Sequence, residues 1–118
     1  VTHQRDFVAA HQLLVEAVRL GRQLGNRWSV PYTIEGFGDI ALAQNDAASA
    51  AQLYGAASVL RDLYGLSFSP SERTVYQGTL ARMRAQLSPA IFEERWKEGN
   101  ALRAQEALEF ALTRTKVE

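Results

Sequence analysis

The sequence predicts an all-α fold, and three observations carry that prediction. Apolar residues recur at steps of three and four along most of the chain, which is the spacing of one helix face, and no stretch of any length alternates with a period of two. Each of the prolines, Pro31, Pro70 and Pro89, lies close to the expected start of a helix, where a missing N–H has no partner to lose. Similar residues also recur forty positions apart. These features predict about six helices joined by short connections.

The first two predicted helices are defined by their apolar faces and by one glycine. The face of the first helix consists of Phe7, Ala10, Leu13, Leu14, Ala17, Leu20 and Leu24. Gly25 with Asn26 is expected to end it, because glycine tolerates the left-handed conformation that follows many helices. The second helix is predicted over residues 28–44, with Pro31 in its first turn. Its apolar side consists of Ile34, Phe37, Ile40 and Ala41.

Capping signals delimit the third and fourth helices. Asp46 is a predicted N-cap, and the helix that follows is expected to run to Tyr64 and to end at Gly65. Residues 69–72, Ser-Pro-Ser-Glu, form a capping box with proline at the first helical position. The fourth helix is expected to bury Tyr76, Leu80, Met83 and Leu87.

The last two helices follow the same logic. Ser88 and Pro89 repeat the signal of a serine cap followed by proline, for a fifth helix that reaches Gly99. The sixth helix carries Ala104, Ala107, Leu108, Ala111 and Leu112.

A shift of forty residues aligns the chain with itself. It pairs Asp6 with Asp46, Ala10 with Ala50, Leu13 with Leu53, Ala17 with Ala57, Leu20 with Leu60, Gly25 with Gly65, Gly38 with Gly78, Ile40 with Leu80, and Ala41 with Ala81. A period of this length is typical of stacked helical hairpins, in which each hairpin buries its apolar face against its neighbours. The expected hairpins span residues 1–45, 46–87 and 88–115.

The second and third helices follow the pattern of tetratricopeptide repeats. Gly38 and Ala41 stand at the small positions of the first helix of the repeat, and Ala50, Tyr54 and Ala57 stand at small, aromatic and small positions of the second. Small residues let two helices approach closely, and the aromatic ring fills the gap between hairpins.

Residues 46–112 resemble a known bacterial sequence type. The resemblance lies in residues 50–57, Ala-Ala-Gln-Leu-Tyr-Gly-Ala-Ala, in Leu60-Arg61 with residues 69–73, and in the tail motif Trp96-Lys97-Glu98-Gly99 followed by Glu106-Ala107-Leu108. The chain is similar there to the C-terminal tetratricopeptide region of LuxR-type and SARP-type transcription regulators and of signal-transduction ATPases, some of them fused to adenylate cyclase. The resemblance implies a right-handed superhelix in a cytoplasmic regulator, used for sensing or for docking partners. The chain contains no Gly-x-x-x-x-Gly-Lys motif, so ATP binding is not carried over.

Composition narrows the classes of function. Lys plus Arg and Asp plus Glu number 13 each, and no compact basic stretch occurs, so direct contact with nucleic acid is not expected. There is no cysteine, which excludes disulfides and thiolate chemistry. No apolar run approaches the roughly 18 residues of a membrane span. The chain begins with Val1 almost inside a helical pattern, so we expect one domain over residues 1–118, cut from the C-terminal part of a larger protein.

Few residues suggest chemistry. His3 and His11 lie eight positions apart on the first helix, too far for one metal ion without a third donor, and are expected on solvated helix surface. Glu35 and Asp39 fit either a solvated acidic face or a groove that faces a ligand. No nucleophile–base pair, metal-ligand cluster or cofactor motif is legible, so the sequence predicts no catalytic residue, no metal, no cofactor and no enzyme activity.

The predicted function is therefore a protein-interaction or effector-sensing module. Its partner would be a protein, a peptide or a neighbouring domain of the parent protein, and the alternative is a scaffold that self-associates as a homodimer. Helix A of each tetratricopeptide repeat, which is the second and the fourth predicted helix because the hairpins are offset by half a repeat, would line a concave groove through Tyr32, Glu35, Asp39, Glu72, Thr79 and Arg82. An aromatic ring beside two carboxylates suggests a ligand with positive charge, stacked on Tyr32.

Overall fold

Six helices make up the part of the chain that the structure describes. The structure is a computed structural model that describes the backbone of residues 2–24 and 28–115, and the side chains of the first helix at residues 8–21 and 23. The helices are α1 (Thr2–Leu24), α2 (Val30–Ala43), α3 (Ala47–Tyr64), α4 (Pro70–Gln86), α5 (Pro89–Asn100) and α6 (Ala104–Arg114). No strand occurs in the described ranges, so the predicted all-α class is confirmed.

The predicted caps of α3, α4 and α5 are confirmed. The Asp46 carboxylate accepts a hydrogen bond from the Ser49 N–H at 3.1 Å. At the other end of α3, Gly65 has a φ of 68°, in the left-handed region. The capping box of α4 is complete, and the Ser88 hydroxyl accepts from the Ile91 N–H at 3.2 Å. The second helix begins at Val30, later than predicted, and the predicted stop at Gly25 and Asn26 lies outside the described residues.

The central element is α3, which packs closely against both α2 and α5. One core cluster joins it to α1, α2 and α6, and a second joins it to α2, α4 and α5. Because α3 is surrounded, nearly its whole circumference is apolar or small, and Leu53, Ala56 and Ala57 are completely buried. Two glycines bring α3 and α5 together: Gly99 faces the backbone of Gln52 and Gly55 faces the backbone of Trp96.

The contacts of α6 differ from those of a linear stack of hairpins. In such a stack, each hairpin contacts only its neighbours. Here α6 folds back onto α2 and α3, where Ala107, Leu108 and Ala111 join the same core cluster as Ile34 and Phe37. The described helices therefore form a compact six-helix globule.

The forty-residue shift does not preserve the environment of the residues that it pairs. Leu13 is 71% exposed, whereas its counterpart Leu53 is completely buried. A Cβ added at Gly38 would lie 2.7 Å from the Tyr54 ring, but one added at Gly78 would meet nothing within 4 Å. The shift therefore reflects a shared helical pattern more than a repeated packing arrangement.

The predicted inward face of α1 needs a correction. Leu13 and Leu20 are exposed, while Leu14 and Val18 pack against the core. Apolar residues cover a wide arc of this helix and allow more than one rotation about its axis. In the rotation about its axis that α1 adopts, the Leu14 side chain contacts α2 closely at Gly36. None of the described helices is both long and apolar enough to cross a membrane.

Candidate functional site

A groove of about 410 Å³ lies between α2 and α4, with side chains of α3 as its floor. That volume falls within the range of about 300–1,000 Å³ typical of ligand sites. Four residues from α2 and five from α4 line it, together with two from α3 and one from the connection between α3 and α4. They are Tyr32, Glu35, Gly36, Asp39, Tyr54, Arg61, Phe68, Ser71, Glu72, Val75, Tyr76 and Thr79.

Five of the six residues predicted to face a groove line this one, namely Tyr32, Glu35, Asp39, Glu72 and Thr79. Arg82 does not line it, but its charge favours the ionised form of Asp39. The helical spacing that the sequence displays therefore places the two polar stripes on facing sides of one groove. The structure also shows which of these polar groups are already engaged within the chain.

The Glu35 carboxylate is paired with Arg61 of α3. Arg61 donates from Nε to Oε2 at 2.6 Å and from Nη2 to Oε1 at 2.8 Å, which is a bidentate arrangement. The two side chains are 6% and 12% exposed, for Arg61 and Glu35 respectively. The hydrogen bonds to Glu35 raise the pKa of Arg61 above its ordinary value. Glu35 is thus a buried ion-pair partner and not part of a solvated acidic face.

The Arg61 guanidinium is also held between two aromatic rings. Its central carbon lies 4.5 Å from the ring centroid of Tyr32 and 4.0 Å from that of Phe68, within the range of cation–π attraction. Its Nη1 has no hydrogen-bond partner among the described groups of the chain. Arg61 therefore already occupies the position over Tyr32 and Glu35 that the sequence suggested for a cationic ligand.

Asp39 accepts a hydrogen bond from the hydroxyl of Tyr54, at 2.5 Å from its Oδ1. Burial raises the pKa of Asp39, and the hydrogen bond from Tyr54 and the charge of Arg82 oppose that effect. Burial also raises the pKa of Tyr54, and the charge of Asp39 adds to this shift. Tyr76 lies beside Tyr54, with ring centroids 5.7 Å apart, and burial with the charge of Glu35 raises its pKa to about 12. Both phenols therefore stay protonated at neutral pH.

The polar groups of α4 in the groove are engaged within their own helix. Glu72 accepts from the backbone N–H of Ser69 at 2.8 Å, and this hydrogen bond lowers the pKa of Glu72. The hydroxyl of Thr79 donates to the carbonyl of Val75 at 3.1 Å, and Thr79 itself is largely buried. The hydrogen bond and the charge of Arg61 favour the ionised form of Glu72, and the neutral N–H of Ser69 does not cancel its negative charge.

Seven residues that line the groove were not among the predicted ones, namely Gly36, Tyr54, Arg61, Phe68, Ser71, Val75 and Tyr76. Tyr54 and Tyr76 had been assigned to packing alone. A signal for the floor was present, since Tyr54 and Arg61 are seven positions apart and so lie on one face of α3. Nothing local indicated that this face points toward the gap between α2 and α4.

His11 also lies elsewhere than predicted. Its ring packs edge-on against Phe37, with centroids 5.5 Å apart, and burial lowers its pKa. It therefore contacts the core and does not lie on solvated helix surface. The side chain of His3 is outside the described residues. Within the part of the chain that the structure describes, no group of three or more His, Cys, Asp or Glu side chains could hold a metal ion.

The groove combines ring faces, an internally neutralised ion pair and carboxylates that accept hydrogen bonds from neutral donors. Such a surface suits recognition of a ligand by stacking, charge and shape. Comparison with known proteins adds no relative: no family model, no curated protein and no solved structure matches this chain. The functional argument therefore rests on the residues of the groove.

Proposed function

We propose that the chain is a non-catalytic module that binds a protein or peptide segment in the groove between α2 and α4. The observation that carries this proposal is the convergence of Tyr32, Glu35 and Asp39 with Glu72 and Thr79 on one groove. These residues come from two helices that are separated in the chain, and their side chains surround open space where a packed core would have apolar contacts. Glu35 pairs with Arg61 and Asp39 accepts from Tyr54, whereas Glu72 and Thr79 bond to backbone groups of α4 and its cap.

The wider context of this proposal comes from the resemblance of residues 46–112 to tetratricopeptide regions. The hairpin of α2 and α3 supports it, because Gly38 lets the Tyr54 ring lie directly against the backbone of α2, as the small and aromatic positions of that pattern require. We therefore propose a module of a cytoplasmic bacterial transcriptional or signal-transduction regulator, built as a tetratricopeptide-like superhelix whose last helix folds back.

A peptide-display experiment tests the groove. The purified domain is used to select binders from a library of random linear peptides, and the enriched peptides are then measured against two variants. Val75→Gln replaces an apolar side chain inside the groove by a neutral polar one, and Leu63→Gln makes the same kind of change outside the groove lining, on α3. The two side chains are matched, since Val75 is 70% and Leu63 is 72% exposed.

We expect Val75→Gln to weaken peptide binding severalfold and Leu63→Gln to preserve it, with both variants folded by circular dichroism. Equal binding by both variants would place the contact surface elsewhere. Failure to enrich any peptide over an unrelated helical domain would also contradict the proposal.

Self-association is the second candidate, and one observation favours it. Leu13 and Leu20, seven positions apart on one face of α1, are exposed apolar residues, and such surfaces often mark contacts between proteins. A homodimer through this surface would appear as a concentration-dependent mass in sedimentation equilibrium, and Leu13→Asp would abolish it. A constant monomeric mass would rule this candidate out.

A further inference from the structure

The charges of the side chains that line the groove do not cancel one another. Glu35 is neutralised by Arg61, which is the only positively charged side chain among the lining residues. Asp39 and Glu72 accept hydrogen bonds from a phenol and a backbone N–H respectively, and both of these donors are neutral. Two negative charges therefore remain without a bonded cation inside the groove.

The carboxylate of Asp39 is the less well solvated of the two. Asp39 as a whole residue is exposed, but its carboxylate accepts from the Tyr54 hydroxyl in a part-buried hydrogen bond, and burial raises its pKa. Arg82 offsets this from outside the lining. A cation placed in the groove beside Asp39 would stabilise its ionised carboxylate directly.

The aromatic rings provide a second attraction for the same kind of group. Arg61 already lies between Tyr32 and Phe68, so ring faces in this groove do hold a planar cation. The row of rings continues beyond it, since the Tyr76 centroid is 4.5 Å from that of Phe68. Tyr76 also lies beside Tyr54, with centroids 5.7 Å apart, and it lines the groove, so its ring adds to the attraction that a cation in the groove would experience.

The exposed part of the groove favours a peptide over a small organic cation. Val75 is largely exposed and Tyr32 is about half exposed, although both line the groove. Small-molecule sites bury about 70–90% or more of their ligand. A ligand that also covers these two side chains must extend beyond its charged group, as a peptide segment does.

We propose that the groove binds a linear peptide through one Lys or Arg side chain, whose cationic end lies between Asp39 and Glu72 against the ring of Tyr76. An adjoining aliphatic residue of the peptide covers Val75. This inference rests on the proposed function and gives the class of partner that the groove selects.

The probe is a set of end-blocked short peptide pools, each with its central position fixed as Lys, Arg, Glu or norleucine and the other positions random. Binding is measured by fluorescence anisotropy at low and at high salt. We expect the Lys and Arg pools to bind about tenfold or more tightly than the Glu and norleucine pools, which is the scale of a charge-assisted hydrogen bond. The preference should shrink as salt screens the charges.

Conservative variants test the negative charges of the groove separately from its shape. Asp39→Asn and Glu72→Gln each keep an oxygen that accepts the existing hydrogen bond, and each removes one negative charge. We expect either variant to reduce the preference for the Lys and Arg pools severalfold while leaving the norleucine pool unchanged. Asp62→Asn is the matched control, because Asp62 is an exposed carboxylate on α3 outside the groove lining.

A third variant should act in the opposite direction. Arg82→Gln removes the positive charge that competes for Asp39, and we expect it to tighten binding of the Lys and Arg pools by up to about fivefold, the range of an exposed charge pair. Weaker or unchanged binding by this variant would contradict the role given to Asp39.

The possible results distinguish failure of the preference for a cationic peptide from failure of the proposed function of the groove. If the Glu or norleucine pools bind best and Val75→Gln weakens that binding, the groove function stands and the cation preference is wrong. If no pool binds, or if binding ignores Val75→Gln, both are wrong. If methylammonium or putrescine alone competes at the affinity of the Lys pool, the ligand is a small cation and the peptide proposal is overturned.

Discussion

Replacing Gly99 by alanine adds one methyl group where α3 and α5 cross. The new Cβ would lie 2.0 Å from the carbonyl oxygen of Gln52 and 2.9 Å from the backbone nitrogen of Ala56. Both atoms belong to the backbone of α3, so no side chain can rotate out of the way. Since ordinary contact begins near 3.4 Å, the two helices must separate by more than about 1 Å or the site must distort.

The expected cost follows from two opposing effects. Over-packing a dense core costs about 1–3 kcal/mol, and a backbone clash belongs at the upper end of that range. Alanine in place of glycine within a helix returns about 0.5–1 kcal/mol by restricting the unfolded chain. We therefore expect Gly99→Ala to lower the free energy of unfolding by about 2 kcal/mol.

Gly78→Ala is the matched control, because it makes the same chemical change where no atom lies within 4 Å. It should stabilise the protein by about 0.5–1 kcal/mol. Both variants are measured by urea unfolding followed by far-ultraviolet circular dichroism, with the slope of the transition compared to confirm that only stability has changed. A Gly99→Ala variant as stable as Gly78→Ala would refute the close crossing of α3 and α5.

Three further changes test other parts of the structure. Glu35→Ala leaves the buried Arg61 guanidinium without its counter-charge and should cost about 3 kcal/mol in urea unfolding, whereas replacing both residues by methionine should recover much of that loss. Gly65→Ala places a side chain at a φ of 68° and should lower stability by about 1–2 kcal/mol, which a shift in melting temperature reports. Ala57→Leu over-packs a completely buried position and should cost about 1–3 kcal/mol, so an unchanged melting temperature would contradict the packing of α3.

Local signals in the sequence predicted the helices well. The Asp46 and Ser69 caps and the Gly65 stop lie where the sequence places them. Each of these signals acts within a few residues, through a hydrogen bond or one backbone angle. Such effects do not depend on how the helices are arranged in space, and this is why a single sequence reveals them.

The packing of the helices against one another could be predicted less well from the sequence. The wide apolar arc of α1 is compatible with several rotations, and the exposure of Leu13 depends on where α2 lies. The pairing of Gly38 with Gly78 suggested a repeated close approach, but only Gly38 meets a neighbouring helix. Spacing along a chain identifies a face of a helix and leaves open what covers that face.

The candidate groove was predicted in part for the same reason. The polar stripes of α2 and α4 follow from helical spacing, so Tyr32 and Glu72 were identified. The partner of Glu35 is Arg61, twenty-six positions away along the chain. A contact of that kind depends on the packing of α2 against α3, which the sequence expresses only through Gly38 and its neighbours.

The position of the groove follows from the unequal sides of α3. Toward α5, this helix presents Gly55 and the backbone at Gln52, so α5 approaches until the two backbones touch. Toward the groove, it presents the large side chains of Tyr54 and Arg61. The gap between α2 and α4 is therefore lined by aromatic rings and charges, because Gly55, where α3 meets another backbone, lies on the side of α5. A change that forced α5 away from α3 would move the floor of the groove without altering any residue that lines it.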